Sequence, residues 1–422
     1  MGYQGAVPGQ RLPALLLHGS LSRMTTENVP TYHKDPFATS LSVEVLDAGA
    51  SDGKAWVATR DTILFPGGGG QPPDEGTLAQ VAVTGVDWMD GAWRHELAAA
   101  SPPVERGTVD LALDWTRRFD HMQQHTAQHL LSALAQDRWG WPTTAFHLGR
   151  DRSDIELATP SLSFDELDAL EEAAMAQVRT ARPVASRWVS VAEYQALGTR
   201  SRGLPEGHEG EVRLVEIDGV DVTACGGTHL ASTAQIEAIK LLGTESMRGG
   251  TRLHWIAGRR LRHRLGEHEA RSDALRRVLG AADDQLVPQA QARLEQLREA
   301  DRRAQALEIG LARETAARLA LAGGPVLDAH FEETDAAFLR AVASHLQGAL
   351  GSRVALLTAE AEGAAAFVVV AGGEAGIDLR AAGQGVAELL QGRGGGAGNV
   401  FQGRAGSLAR RAEALALLEE IR

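Results

Sequence analysis

Two short segments hold residue types that can grip a metal ion: His125-Thr-Ala-Gln-His129 and Cys225-Gly-Gly-Thr-His229. On a helix, side chains at i and i+4 share a face with Cβ atoms about 5–6 Å apart, so two imidazoles can converge on one ion. In the second segment the paired glycines permit a tight turn that points thiolate and imidazole the same way. Thiolate and nitrogen ligands in a tetrahedral arrangement favour zinc over magnesium or calcium. The chain has fourteen histidines but one cysteine, and that cysteine stands at ligand spacing from a histidine. His125, His129, Cys225 and His229 are therefore the candidate ligands of one Zn2+ per chain. Four bound side chains would close the shell and make it structural, whereas three would leave a position for water or substrate. Spacing alone leaves both open.

These residues need elements to position them. Residues 117–138 read as a helix of roughly five turns, with His121, His125, Gln128, His129 and Ser132 at helical spacing and Leu130, Leu131 and Leu134 facing a core. Before it, alternating segments at 41–46, 54–59, 77–83 and 107–113 are broken by Gly, Pro and Asp, which predicts a small antiparallel barrel or sandwich. After it comes a strand at 154–158, then a helix at 164–180 with Ser163 as N-cap and Glu166 completing a capping box. Strands near 184–189, 212–217, 235–242 and 251–257 complete a mixed layer of helix and sheet. The stretch 258–322 carries heptad-like apolar residues (Leu261, Leu265, Leu275, Val278) and reads as a helical arm. Alternating strand and helix patterns from 326 to 421 predict a last α/β domain. The fold class is α+β multidomain: a β-barrel over 24–115, a zinc-binding two-layer α/β domain over 116–258, a helical arm over 259–322 and a C-terminal α/β domain over 323–422. Residues 1–23 read as a disordered extension, with Met24 as the natural start.

Composition bounds the setting. Of 422 residues 44% are hydrophobic, which excludes a disordered chain, and a single cysteine excludes an internal disulfide framework and points to a reducing, cytoplasmic environment. The longest apolar run, Ala364–Ala371, is far short of the roughly 20 residues of a membrane span. A net charge of −13 argues against a polyanionic ligand. Binding is decided by the field near a site, however, and residues 247–264 hold six arginines (248, 252, 259, 260, 262, 264) with no acidic residue before Glu267. Such a strip suits nucleic-acid phosphates.

Four ordered segments carry a family resemblance. HTAQHLLSAL at 125–134 and ACGGTHL at 224–230 resemble the HxxxH and CGGTH signatures of the editing domain of alanyl-tRNA synthetase and of the free-standing alanyl-tRNA editing proteins of the AlaX type. FPGGGGQPPD at 65–74 resembles the glycine-rich segment of their N-terminal barrel, and GRGGGAGNVFQG at 392–403 is similar to a glycine-rich stretch of their C-terminal, DHHA1-like domain. The resemblance runs from Met24 nearly to the end. It implies a zinc-dependent hydrolase that cleaves the ester joining a wrong amino acid, serine or secondarily glycine, to the acceptor end of tRNA(Ala). The chain starts at the barrel, so no aminoacylation domain is expected.

Within this frame His147 would be the base that positions water. Thr126 and Thr144, with Thr143, are the candidate hydroxyls facing the wrong amino acid; a pocket that hydrogen-bonds the serine hydroxyl rejects alanine far better than an apolar one. Gln71 and Gly69 would approach the terminal adenosine, and Arg248 and Arg252 the acceptor-stem phosphates. Two departures matter: the C-terminal segment lacks the family's Pro-Asp-Met core, with Gly398-Asn399-Val400 in its place, and Arg404 replaces a glycine. Alternatives are editing of Ser-tRNA(Thr), since the threonyl enzyme carries a similar ligand set, and a non-catalytic zinc-stabilised RNA-binding module. The Asp-His-His motif of phosphoesterases that share the C-terminal domain is absent. A homodimer through the arm or the C-terminal domain is expected.

Overall fold

The computed structural model describes residues 29–197, 199–200, 203–204, 210–361 and 363–421. The extension expected at 1–23 lies outside them. The chain divides into two compact units, Met1–Arg271 and Ser272–Arg422.

The first unit opens with a short helix α1 (Thr31–Lys34) and six strands: β1 (Ser40–Ser51), β2 (Lys54–Thr59), β3 (Gly76–Leu78), β4 (Val81–Met89), β5 (Ala92–Leu97) and β6 (Gly107–Leu113). They close a barrel in the order β1-β2-β5-β4-β3-β6, so no strand edge is left bare. Alternation fills its interior with Val57, Leu78, Trp93, Leu97 and Leu111, and the connection between β2 and β3 adds Leu64. Closure is helped by β-bulges in β1 between Val45 and Asp47 and in β4 between Val83 and Gly85.

The barrel core also contains His95, fully buried. Its Nε2 sits 2.9 Å from the Thr62 hydroxyl and its Nδ1 3.3 Å from the Val57 carbonyl, a pairing that suits a neutral ring. Burial lowers its pKa from 6.5 to about 4, against the pull of the Val57 and Trp93 carbonyls. Above pH 6.5 the ring is neutral folded or unfolded. As pH falls from 6.5 toward 4, the unfolded chain takes up a proton that the folded chain refuses, so up to about 3 kcal/mol of stability is lost across that window. The urea midpoint is expected to drop between pH 7 and pH 4.5, and to drop less in His95→Gln; an identical pH dependence in the two would contradict this.

Helix α2 (Trp115–Trp139) follows, starting at the N-cap Asp114, which accepts from the Arg117 amide, and ending at the left-handed Gly140. Next come β7 (Thr143–Leu148), β8 (Ser153–Leu157), α3 (Phe164–Arg179), β9 (Val184–Val189), α4 (Val191–Ala196), β10 (Val212–Ile217), β11 (Asp221–Ala224), β12 (Ile239–Met247) and β13 (Gly250–Ala257). Two antiparallel sheets result, β12-β13-β8-β7 and β11-β10-β9. The capping box at Ser163 and Glu166 forms as expected. Helices α2 and α3 bury Leu130, Leu131, Leu170 and Ala174 against Ile155, Leu253 and Trp255. Each fully buried large side chain contributes about 1.5–3 kcal/mol, and this layer fixes the orientation of α2.

Helix α5 (Arg259–Leu279) spans the boundary between the units, and α6 (Leu286–Ala320) belongs to the second, so the single arm read from sequence is two helices broken at the left-handed Gly280. The second unit continues with β14 (Val326–Glu332), α7 (Ala336–Leu346), β15 (Val354–Ala361), β16 (Ala364–Ala371), α8 (Leu379–Leu389), β17 (Arg393–Ala397), β18 (Val400–Ala405) and α9 (Arg411–Glu420). Its sheet runs β14-β15-β16-β18-β17, with β14 and β15 parallel. No described helix is long and apolar enough to cross a membrane.

Candidate metal centre and its cleft

Helix α2 is buried along most of its length although it carries Gln123, Gln124, His125, Thr126, Gln128 and His129 there. Buried polar side chains on this scale require partners, and each of these six has at least one. His125 and His129 stand one turn apart with ring centroids at 5.2 Å. Across from them the chain leaves β11 and passes through Cys225-Gly-Gly-Thr-His229. This passage needs glycine: a Cβ on Gly227 would lie 2.2 Å from His125 Cε1.

The two segments meet. Cys225 Sγ is 3.5 Å from His125 Nε2 and 3.3 Å from His229 Nε2, and one donor atom from each of the four residues lies within 4.8 Å of the others. Tetrahedral zinc, with Zn–S near 2.3 Å and Zn–N near 2.0–2.1 Å, sets an S···N edge of about 3.5 Å, so the spacing fits that ion. The far nitrogens are tied down as well. His125 Nδ1 is 2.9 Å from Gln71 Oε1, His129 Nδ1 is 3.1 Å from Asp221 Oδ2, and His229 Nδ1 is 3.3 Å from Thr126 Oγ1. Each ring thus presents Nε2 inward, the orientation that outer partners impose on metal-binding imidazoles.

The partners are themselves held. Gln71 accepts from the Thr228 amide and donates to the Thr228 hydroxyl. Asp221 accepts from Arg200, whose other nitrogen bonds both Asp137 oxygens at 2.6 Å. Arg213, buried, donates to the carbonyls of Cys225 and Gly227 and shapes the turn. Burial opposes ionisation of Cys225, yet the neighbouring His125 and His229 hold its thiol well below the usual range, which favours the ligating thiolate. Burial works against a charged His129, but its bonds to Asp221 and Cys225 raise it to about 10. Burial and the proximity of His125 push His229 well down.

A cleft of about 710 Å³ opens on one side of this cluster. His125, His129 and Cys225 line it, and His229 does not. Its far wall is β7, where Phe146 approaches so closely that a Cβ on Gly70, itself at φ +89°, would meet its ring at 2.4 Å.

Among the residues expected to act, Gly69, Thr143 and His147 line the cleft. His147 is 59% exposed with Nδ1 3.0 Å from Asp154 Oδ1. The structure does not bring the others to it. Thr126 is fully buried, accepts from the Leu230 amide and braces His229, so it orients a ligand. Thr144 is exposed and donates to the Glu156 carbonyl. Gln71 is buried behind His125, where it positions that ring. Arg252 is taken up by Glu156 at 2.6 Å and Asp154 at 3.4 Å, and Arg248 sits exposed in the turn between β12 and β13. Arg260 and Arg262 are likewise paired, with Asp120 and Glu237. Three of the strip's six arginines, 252, 260 and 262, are thus neutralised from elsewhere in the fold. Asp221, Arg200, Gln128 and Ser132 had no role in the expectation. For Gln128 and Ser132 the signal was present, since both share the helical face of His125 and His129.

Comparison with known proteins places this geometry. Residues 212–253, which contain the Cys225 turn, match the family model described as the threonyl and alanyl tRNA synthetase second additional domain. Alanyl-tRNA editing protein Aarsd1 of Mus musculus is 34% identical over 394 residues, covering 90% of this chain and 93% of the relative. Its counterpart in Danio rerio is 37% identical over 372 residues, covering 86% and 88%. Alanyl-tRNA editing protein AlaX-L of Pyrococcus horikoshii is 32% identical over 222 residues, covering 50% of this chain and 53% of the relative. With likeness above 30% over nearly the full length of the Aarsd1 proteins, the chain belongs to the alanyl-tRNA editing protein family.

Proposed function

We infer that the protein is a deacylase acting in trans on mischarged tRNA(Ala), hydrolysing the ester of serine, and secondarily of glycine, beside a zinc ion held by His125, His129, Cys225 and His229. The observation that carries this reading is the convergence of four ligand atoms at the wall of an open cleft. Three of the four, His125, His129 and Cys225, line that cleft, so substrate can approach the ion they would hold from that side. When bound, zinc supplies positive charge that stabilises negative charge developing on oxygen. The chain's own residues do the rest. Asp154 holds His147 Nδ1, which leaves Nε2 to accept a proton from the water that attacks the ester carbonyl. As the acyl C–O bond breaks, the ribose oxygen is reprotonated, and free serine and tRNA leave.

The acceptor-stem phosphates would meet Arg259 and Arg264 of the strip together with basic residues from outside it. These two arginines line a depression of about 1300 Å³ in the first unit with Arg150, Arg271 and His268, where the carboxylates of Glu75, Asp114, Asp120, Asp151 and Glu267 also stand. A homodimer would pair through the exposed leucines of α6, Leu294, Leu297 and Leu307. A cytoplasmic location, where tRNA is charged, goes with this activity.

Incubating serine-charged and alanine-charged tRNA(Ala) with the protein tests the reading: serine should be released and alanine retained. Equal, background decay of both would defeat it, and release of serine from serine-charged tRNA(Thr) alone would favour the threonyl substrate. Asp221→Asn is expected to weaken zinc binding by about 10–100-fold, as loss of a carboxylate behind a ligating imidazole does elsewhere. Competition with a chromophoric chelator measures this, and unchanged affinity would show that Asp221 does not tune the site.

A further inference from the structure

The cleft wall carries a pair of incompletely bonded polar groups, one of them buried, that the reading above does not use. Helix α2 turns Gln128 and Ser132 onto the same wall as His125 and His129. Gln128 is only 6% exposed; its Nε2 donates to Ser132 Oγ at 2.9 Å, while its Oε1 has no partner. A buried acceptor left unbonded is destabilising, because it has lost its bond to water and gained none in return. Flipping the amide does not remove the problem, because one of its two polar atoms stays unpaired in either orientation. Ser132 Oγ accepts a second bond, from Thr143 Oγ1 at 2.8 Å. With both of its lone pairs engaged, its own proton is what remains to donate.

An acceptor and a donor therefore stand together, on the residue before the ligand His129 and on the one about a helical turn after it. A hydroxyl is the small group that satisfies both, since it donates one bond and accepts another. A methyl group or a hydrogen atom satisfies neither, and an ammonium group only donates.

We propose that Gln128 and Ser132 are the specificity pair of the cleft, recognising the side-chain hydroxyl of the esterified amino acid. The hydroxyl donates to Gln128 Oε1 and accepts from the Ser132 hydroxyl. This rests on the deacylase reading and names the feature by which the same cleft selects its substrate. Serine fills both bonds. Alanine leaves both groups unpaired, and a site built to bond a hydroxyl rejects the analogue without it strongly. Glycine lacks the hydroxyl too and is the poorer substrate of the two wrong amino acids. Thr143 acts one step back, by fixing the direction in which Ser132 donates.

The test uses the full chain and two non-hydrolysable probes, adenosine carrying serine or alanine through a 3′-amide, with affinities from calorimetry. The wild type should bind the seryl probe at least tenfold more tightly than the alanyl probe. Gln128→Leu and the smaller change Ser132→Ala should each shrink that ratio below threefold, through weaker seryl binding, stronger alanyl binding or both. In turnover, Gln128→Leu should lower kcat/KM for serine-charged tRNA(Ala) tenfold or more without a matching loss for glycine-charged tRNA(Ala). Parallel loss for both substrates, or both probes, would mean a merely structural role and overturn the proposal. So would a wild-type seryl preference that survives in both variants. If the wild type prefers the seryl probe through this pair yet hydrolyses no charged tRNA, the recognition stands and the deacylase reading falls.

Discussion

Cys225→Ser is expected to reduce bound zinc to below a tenth of an equivalent per chain and to lower deacylation of serine-charged tRNA(Ala) by 10³-fold or more, which corresponds to about 4 kcal/mol. Serine is close in size, so the change tests the sulfur and little else. A hydroxyl does not ionise near neutral pH, whereas the thiol here is held well below its usual range by the two histidines beside it. Binding zinc needs the deprotonated ligand, so the alcohol gives up both charge and softness. The fold should survive, because Leu130, Leu131, Ile155 and Trp255 pack a continuous core around α2 that does not include the site. Metal content by mass spectrometry, kcat/KM and circular dichroism together check this. Full zinc occupancy with kcat/KM within threefold of wild type would rule Cys225 out as a ligand.

Much of this centre was legible in the chain because it depends on short spacings. A helical i, i+4 histidine pair and a cysteine four residues from a histidine are local patterns, and α2, read as 117–138, runs Trp115–Trp139 in the structure. The supports were not legible for the opposite reason. Gln71 reaches His125 from 54 residues earlier, and Arg252 is neutralised by Glu156 from 96 residues earlier; no periodicity encodes such meetings. Gln71 was consequently assigned to substrate and Arg252 to phosphate. The hairpin β17–β18 was missed because Arg393–Ala397 holds three consecutive glycines, which carry no alternating signal. What the sequence pattern conveys, then, is which atoms can bind; which of them are already engaged is decided by tertiary contacts.

The second large effect concerns one such contact. Arg118→Met is expected to destabilise the first unit by about 3–5 kcal/mol, the usual consequence of removing one partner from a buried ion pair. Arg118 and Asp74 are both fully buried and form a two-nitrogen contact onto Asp74 Oδ2. Arg118 also donates to the carbonyls of Pro36 and Ile63, at 2.9 and 2.6 Å, and Asp74 accepts from the Phe65 amide at 2.7 Å. One guanidinium therefore ties α2 to both flanks of the glycine-rich segment that carries Gln71. Methionine matches the apolar stem but leaves a carboxylate buried beside two unpaired carbonyls. Asp74→Asn removes the uncompensated charge, so the double variant should be less destabilised than the sum of the two single changes, with a coupling of about 0.5–3 kcal/mol. Because Gln71 steadies His125, the loss should extend to the metal: Arg118→Met should bind zinc more weakly even where it is folded. Urea unfolding and chelator competition measure the two effects separately. A midpoint equal to wild type, or additive single and double variants, would show that the barrel and α2 are held together by apolar packing alone.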